Sequence, residues 1–233
     1  MAGGAGRGAG GARVWVLRHA ERGAGSGFRE PLTARGRDQA RGGVAEALGR
    51  VPRLRAVYSS PFRRCLETAE PFVGALGLRT RVDYSLYEHP DPPGDAPGPQ
   101  GLPAEWVDEF SVDPDYCPSY PAVALALTGN ASGAQLRQRV LPFLRDKASL
   151  HAAEEAGASD AGPGEDREGG EAWEGFEDDG RPSIVLVTHQ SVCHQLLGLD
   201  RGLDIRRLDA EYQGRPEAMD FPVGGLAEIL RPL

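Results

Sequence analysis

The sequence predicts an α/β fold, a single domain whose mostly parallel central sheet carries helices on both faces. Short runs of apolar and β-branched residues, each too short for a helix, alternate with longer segments of helical pattern along the 233 residues. Such alternation is typical of parallel sheets, which bind their ligands beyond the carboxyl ends of the strands. A chain of this length fits one large domain that buries roughly 70% of its unfolded surface.

Five short segments have the composition of strands. The first is buried by pattern and ends at Arg18 and His19, whereas the fourth, SIVLV, ends at Thr188 and His189. We place the last strand at an edge of the sheet. The predicted strands are 13–17, 54–58, 79–82, 183–187 and 224–230. His19 and His189 therefore lie at carboxyl ends of strands, where a ligand is expected.

Four helices are predicted around these strands. Thr33 is a favourable N-cap for the first, and Pro61 occupies the first position of the second. Pro71 and Pro142 are expected to kink the second and third helices. The helices cover 34–48, 61 to beyond 69, 134–150 and 191–197. The many Pro and Gly residues of 89–103 predict a loop or lid.

The acidic residues are concentrated in one segment. The chain has a net charge of −8, but 151–180 alone holds eleven acidic residues against one arginine, which leaves a net +2 for the remainder. We expect 151–181 to be a disordered insertion and 1–12, which is mostly Gly and Ala, to be a disordered tail. The folded domain then spans 13–233, and a basic pocket can exist inside an acidic protein.

Composition also limits the partners and the compartment. No apolar run approaches the roughly 20 residues that cross a bilayer, so we expect no membrane partner. No glycine-rich nucleotide-binding motif follows a strand, which disfavours a bound nucleotide, and we expect no nucleic-acid partner either. Cys65, Cys117 and Cys193 form no paired pattern, so we expect free thiols and a cytoplasmic protein. Trp173 and Phe176 in the acidic insertion are either incidental or a docking segment for a basic protein partner.

Several residues suit phosphoryl transfer through a histidine. That chemistry needs a neutral imidazole nitrogen aimed at phosphorus, cationic or N–H donors around the phosphate oxygens, and an acid for the leaving oxygen. Strand ends, a helix start and a loop after the third strand supply all three kinds of group. The candidates are Arg18, His19, Arg22, Arg64, Glu88 and His189.

Four segments resemble, in chain order, the motifs of the histidine phosphatase (phosphoglycerate mutase-like) superfamily. They are LRHAER at 17–22, PLTARGRDQA at 31–40, SSPFRRCLETA at 59–69 and VTH at 187–189. Within the superfamily the chain is most similar to the branch that holds the phosphatase domains of the suppressor of T-cell receptor signalling proteins and the ecdysteroid-phosphate phosphatases. That branch has an RHGER signature where this chain has RHAER.

The resemblance implies a phosphomonoester hydrolase with a phosphoglycerate mutase-like fold, a phosphohistidine intermediate and no metal or cofactor. It makes His19 the nucleophile and Glu88 the acid that protonates the leaving oxygen and then activates water. It also counts His189 among the catalytic residues, and it favours aryl esters such as phosphotyrosine. The phosphate pocket that it implies consists of Arg18, Arg22, Arg64 and His189.

Two positions bear on which other functions stay open. Ala20 stands where the family has glycine, and its methyl group adds bulk at a point where close approach to phosphate or a positive φ favours glycine. Gly25 stands where mutases and bisphosphatases carry an asparagine, which weakens the case for a sugar phosphate. The alternatives are a phosphatase or mutase of sugar or small-metabolite phosphates, and a catalytically weak phosphate-binding adaptor.

Overall fold

The computed structural model describes residues 11–25, 27–88, 101–128, 132–158, 179–197, 205–207 and 226–229. Three predicted segments lie outside the described residues in whole or in large part: the tail at 1–10, the lid at 89–100, and the acidic stretch at 159–178 with Trp173 and Phe176. Within the described ranges, no helix is long and apolar enough to span a membrane.

Six strands in these ranges form one sheet. They are β1 (Arg13–Arg18), β2 (Leu54–Ser59), β3 (Thr80–Val82), β4 (Ser183–Thr188), β5 (Ile205–Arg207) and β6 (Leu226–Ile229). Their order across the sheet is β3, β2, β4, β1, β6, β5. The first four in this order are parallel, whereas β6 is antiparallel to both β1 and β5. The predicted mostly parallel sheet is confirmed.

The prediction that the last strand lies at an edge is wrong. β6 lies between β1 and β5, with Leu226 opposite Leu17 and Ile229 opposite Val14. The additional strand, β5, has the sequence Ile-Arg-Arg, which is too short and too charged to be recognised from its composition. The place of a strand in a sheet depends on pairing between distant segments, which local composition does not reveal.

The helices of the described ranges are α1 (Ala34–Gln39), α2 (Ala45–Gly49), α3 (Arg63–Ala75), α4 (Ala104–Glu109), α5 (Ala122–Thr128), α6 (Gly133–Ala158) and α7 (Gln190–Leu197). Thr33 caps α1 as predicted, because its hydroxyl accepts a hydrogen bond from the Gly36 amide. The predicted helix 34–48 is interrupted by a π-helical turn, Ala40–Val44, in which Gly42 has a non-helical backbone (φ −96°, ψ −106°). A 3₁₀ turn, Tyr84–Leu86, follows β3.

Helix α3 begins at Arg63 and not at Pro61. Phe62 has an extended backbone (φ −68°, ψ 139°) and a fully buried ring, so Pro61 lies in the turn before the helix. The helix continues through Pro71 to Ala75.

The boundaries predicted for the two disordered segments are also wrong. Helix α6 extends to Ala158, eight residues into the predicted insertion. Tertiary contacts account for this extension, because His151 is buried with its Nε2 2.8 Å from the hydroxyl of Tyr58, and Glu155 pairs with Arg53 and Arg55. At the predicted tail, the Ala12 amide donates to the carbonyl of Ala148, so the ordered chain begins before residue 13.

Alternate residues of the central strands enter two separate cores, one on each face of the sheet. Trp15, Leu17, Val57, Val185 and Val187 pack with α2 and α3. Their neighbours along the strands pack with α6 and α7 and include Val14, Val16, Tyr58, Ile184 and Leu186. Strands buried on both faces are expected when helices cover both sides of a parallel sheet, and the predicted two-sided arrangement is confirmed.

Candidate active site

The site lies where three parallel strands end. His19 directly follows β1, Ser60 follows β2 and His189 follows β4. Main-chain hydrogen bonds continue the sheet into this region: the His19 amide donates to Thr188 O at 2.9 Å, and the Ser60 amide donates to Val187 O at 2.9 Å. The rings of the two histidines consequently lie edge to face, with their centroids 5.4 Å apart.

His19 is a buried, neutral imidazole with a defined tautomer. Its Nδ1 lies 2.7 Å from the carbonyl oxygen of Ala20. A carbonyl can only accept, so Nδ1 carries the proton and Nε2 keeps its lone pair. Burial, the charge of Arg64 and the smaller effects of Arg18 and Arg22 lower the pKa of His19 to about 3, against the opposing effect of the hydrogen bond to Ala20.

His189 is completely buried and has partners at both ring nitrogens. Its Nε2 lies 2.8 Å from the hydroxyl of Ser60, and its Nδ1 lies 3.3 Å from Nη2 of Arg64. Because a guanidinium only donates, Nδ1 is the acceptor in this arrangement and Nε2–H donates to Ser60. Burial, followed by the charge of Arg64, keeps the pKa of His189 well below its ordinary value. Its 3.6 Å approach to Glu88 is therefore not an ion pair.

Arg64 connects the phosphate-pocket candidates to Glu88. Its buried guanidinium lies 4.3 Å above the centroid of the Phe62 ring, donates to Gly27 O at 2.9 Å and forms an ion pair with Glu88. The Glu88 side chain is 20% exposed. Burial raises the pKa of Glu88, and the charges of Arg64, Arg22 and Arg18 oppose that rise.

The remaining two arginines, Arg18 and Arg22, add positive charge near the two histidines. Arg18 is the half-buried last residue of β1, and Arg22 donates to the carbonyls of Gly23 and Gly25. Both charges lower the pKa of His19 and of His189. The structure therefore brings together all six residues that the sequence singled out. Among the described residues, no group of three or more His, Cys, Asp or Glu side chains is placed to hold a metal ion.

Ala20 occupies its position without strain. Arg53 is the one residue other than glycine with a positive φ among the described residues, so Ala20 does not need a glycine backbone. Its amide donates to the hydroxyl of Thr68 at 3.0 Å, and its methyl group belongs to a small buried cluster with Leu32 and Ala40. Ala20 therefore does not need the positive φ that would favour glycine at this position.

A glycine is required at a different point, in α1. A Cβ at Gly36 would lie 1.9 Å from the carbonyl oxygen of Glu21. Glu21 is further held by its amide, which donates to Gln39 at 2.9 Å, and by its carbonyl, which accepts from the Thr33 amide at 3.0 Å. Helix α1 is therefore pressed directly against the loop that follows His19.

Four supporting residues received no role from the sequence. Ser60 and Thr68 lie within the segment 59–69 that resembles the family, which was the signal that could have identified them. Thr68 links the loop to α3, because it accepts from the Ala20 amide and donates to Arg64 O at 2.6 Å. Arg139 and Thr188 hold the segment before Glu88, and for Arg139 the sequence contains no local signal.

Comparison with known proteins gives the family. No curated protein matches the chain by sequence. Among solved structures, the ecdysone phosphate phosphatase of Bombyx mori is 17% identical, covers 93% of this chain and 88% of its own, and has a TM-score of 0.52. A mycobacterial glucosyl-3-phosphoglycerate phosphatase is 25% identical over 80% of each chain, with a TM-score of 0.44. The model of the histidine phosphatase superfamily (branch 1) matches residues 14–158. With more than half of its length matched, the chain belongs to the histidine phosphatase superfamily.

Proposed function

We propose that this protein is a phosphomonoester hydrolase of the histidine acid type, which works through a phosphohistidine at Nε2 of His19. The observation behind the proposal is the state of His19: a buried imidazole, kept neutral by burial and by nearby arginines, with its proton fixed on Nδ1. A nitrogen lone pair surrounded by cationic groups suits attack on a phosphate monoester, which carries negative charge. Membership of the family supports the same chemistry.

In the first step, Nε2 of His19 attacks phosphorus and the bond from phosphorus to the ester oxygen breaks. The electron pair of that bond stays on the leaving oxygen, which receives a proton from the carboxyl group of Glu88. Burial favours the protonated form of Glu88. A bound phosphate would compete with Glu88 for Arg64, and this would free the carboxyl group for the proton transfer.

In the second step, the Glu88 carboxylate takes a proton from water while the water oxygen attacks the phosphohistidine. The bond between phosphorus and Nε2 breaks, and its electrons return to the imidazole. The net reaction is ester plus water to alcohol plus inorganic phosphate. The Ser60 hydroxyl can donate or accept at Nε2 of His189, so His189 can also place a proton on Nδ1, toward the phosphate.

The proposed substrates are phosphomonoesters, with aryl esters such as phosphotyrosine favoured. This preference rests on the RHAER signature and the DPDY segment at 113–116, which resemble the branch with an RHGER signature. The mechanism assigns no step to a metal or cofactor, so EDTA should leave turnover unchanged. We also propose a cytoplasmic location, in keeping with the free thiols of Cys65, Cys117 and Cys193.

A single-turnover experiment tests the proposal. Hydrolysis of para-nitrophenyl phosphate should be inhibited by vanadate, and a quenched turnover should leave acid-labile, alkali-stable phosphate on the protein. His19→Ala should lose the label, whereas His194→Gln, on α7 and outside the six-residue site, should keep it. A label that survives His19→Ala contradicts the mechanism. Absence of turnover across a pH series and a panel of aryl, sugar and small-metabolite esters, with vanadate still bound, would favour the adaptor function instead.

A further inference from the structure

The short segment that carries Glu88 is held in place through its own main chain, because three successive carbonyls in it accept hydrogen bonds from other parts of the fold. Arg139 donates from Nε to Ser85 O at 3.3 Å and from Nη2 to Tyr87 O at 2.6 Å. Between these two, Leu86 O accepts from the hydroxyl of Thr188 at 2.8 Å. Every carbonyl of the three residues that precede Glu88 is thus tied to another element of the fold.

The beginning of the segment is fixed as well. Asp83 is completely buried, and its Oδ1 accepts from the Ser85 amide at 2.9 Å. Its other oxygen accepts from the Tyr116 hydroxyl and from the Ser119 amide, each at 2.6 Å. The segment therefore leaves β3 from a fixed point, and Arg139 ties its far end to α6.

Arg139 is an unusual residue for this location. It lies in α6 and is only 4% exposed, and its guanidinium binds two main-chain carbonyls of a segment more than 50 residues earlier in the chain. A buried guanidinium is costly to desolvate, and its hydrogen bonds to the two carbonyls offset that cost in part. Its rigid fork of donors, however, fixes the relative position of two acceptors in a way that an apolar side chain does not.

Thr188 provides the second link and also contacts the nucleophile. Its carbonyl accepts from the His19 amide at 2.9 Å, while its hydroxyl donates to Leu86 O. One residue thus connects the main chain of the nucleophile to the segment of the candidate acid. With Arg139 on the other side, the segment has little freedom to translate relative to His19.

We propose that Arg139 is a positioning residue that, together with Thr188, sets the place of the Glu88 carboxyl group relative to His19 and thereby governs protonation of the leaving group. This inference rests on the proposed function, in which Glu88 is the acid. It adds to that function a buried arginine that binds the main chain of the segment before Glu88.

Leaving-group dependence separates this role from a purely structural one. Arg139→Met should reduce turnover of phenyl phosphate, which has a poor leaving group, at least about 10-fold more than turnover of 2,4-dinitrophenyl phosphate, whose leaving group needs no acid. Arg139→Lys, which keeps the charge and loses the fork, should show the same trend if the methionine variant does not fold. Thr188→Val should also show it, and Arg137→Met, in the same helix but bonded to Gln195, should not.

Two further measurements complete the test. Combined with Glu88→Gln, Arg139→Met should cause no additional leaving-group-dependent loss. Without any turnover, amide hydrogen exchange in 84–88 should be faster in Arg139→Met than in Arg137→Met. Unchanged exchange there, or equal losses for both esters in the Arg139 and Thr188 variants, would overturn the inference. If Glu88→Gln itself lacks leaving-group dependence, the acid role in the proposed function falls, and the exchange measurement still decides whether Arg139 holds the segment.

Discussion

The contact between Gly36 and Glu21 predicts an unusual outcome for a glycine-to-alanine substitution in a helix. Alanine normally stabilises a helix relative to glycine by about 1 kcal/mol. In Gly36→Ala, however, the new Cβ would lie 1.9 Å from Glu21 O. Carbon and oxygen atoms ordinarily approach to about 3.4 Å, so the helix and the loop must separate by roughly 1.5 Å.

The displaced loop includes the residue that holds His19. Ala20, whose carbonyl accepts from Nδ1 of His19, directly precedes Glu21, and Arg22 directly follows it. Misplacement of a reacting group by about 1 Å costs on the order of 100-fold in rate, and overpacking costs about 1–3 kcal/mol of unfolding free energy. We therefore expect kcat/KM for 2,4-dinitrophenyl phosphate to fall about 100-fold and the free energy of unfolding in urea to fall by about 1–3 kcal/mol.

Gly74→Ala is the matched control. Gly74 lies in α3, and a Cβ there would meet no atom within 4 Å. It should raise the free energy of unfolding by about 0.5–1 kcal/mol and leave kcat/KM unchanged. If Gly36→Ala is as stable and as active as Gly74→Ala, the proposed dependence of His19 on close packing between α1 and its loop is refuted.

Three other predictions concern titration, hydrogen bonding and thiol reactivity. The pKa of His19 is about 3 in the folded protein, against 6.5 for an unperturbed histidine, so the unfolded chain binds a proton between these two pH values and the folded protein does not. The free energy of unfolding should therefore decrease by about 1.4 kcal/mol per pH unit as the pH falls from 6.5 to 3, and His19→Gln should lack this part of the pH dependence. Urea unfolding at several pH values measures it, and an equal pH dependence in both proteins contradicts the assignment. Ser60→Ala leaves the buried Nε2 of His189 without its hydroxyl partner, so the free energy of unfolding should fall by about 1–3 kcal/mol and vanadate should bind more weakly. Ser59→Ala removes a hydroxyl that donates to Ser60 O and should leave vanadate affinity unchanged, so equal weakening in both variants counts against Ser60. Burial raises the pKa of the Cys65 and Cys193 thiols, whereas Cys117 is exposed. Iodoacetamide should therefore label the native protein at Cys117 alone, which mass spectrometry of the digested protein measures. Rapid labelling of Cys65 would contradict its burial.

The central strands, and the meeting of His19 and His189 beyond their ends, could be predicted because each depends on a local pattern. An apolar run that ends in a charged or histidine residue indicates a buried strand and, at its carboxyl end, a candidate site residue. Arg18 and His19 follow this pattern, and so does His189. The N-cap at Thr33 is local in the same sense. These features need only a few neighbouring residues to be recognised.

Features that depend on distant pairings were missed. The interior place of β6 follows from a strand, β5, that has almost no apolar character. The extension of α6 to Ala158 is stabilised by ion pairs of Glu155 with Arg53, just before β2, and Arg55, within β2, although the local composition is acidic. Arg139 acts on carbonyl groups, which have no side-chain identity, so no sequence pattern could indicate its partners.

The hydrogen bond between Nδ1 of His19 and Ala20 O also predicts the regiochemistry of the proposed covalent intermediate. An imidazole can be phosphorylated at either nitrogen, which gives two isomers, called pros for Nδ1 and tele for Nε2. Because Nδ1 is protonated and donates to the carbonyl of Ala20, only the tele isomer can form without loss of this hydrogen bond. An antibody or a chromatographic standard that distinguishes tele-phosphohistidine from its isomer would therefore report the tautomer of the resting protein, long after the reaction has been quenched.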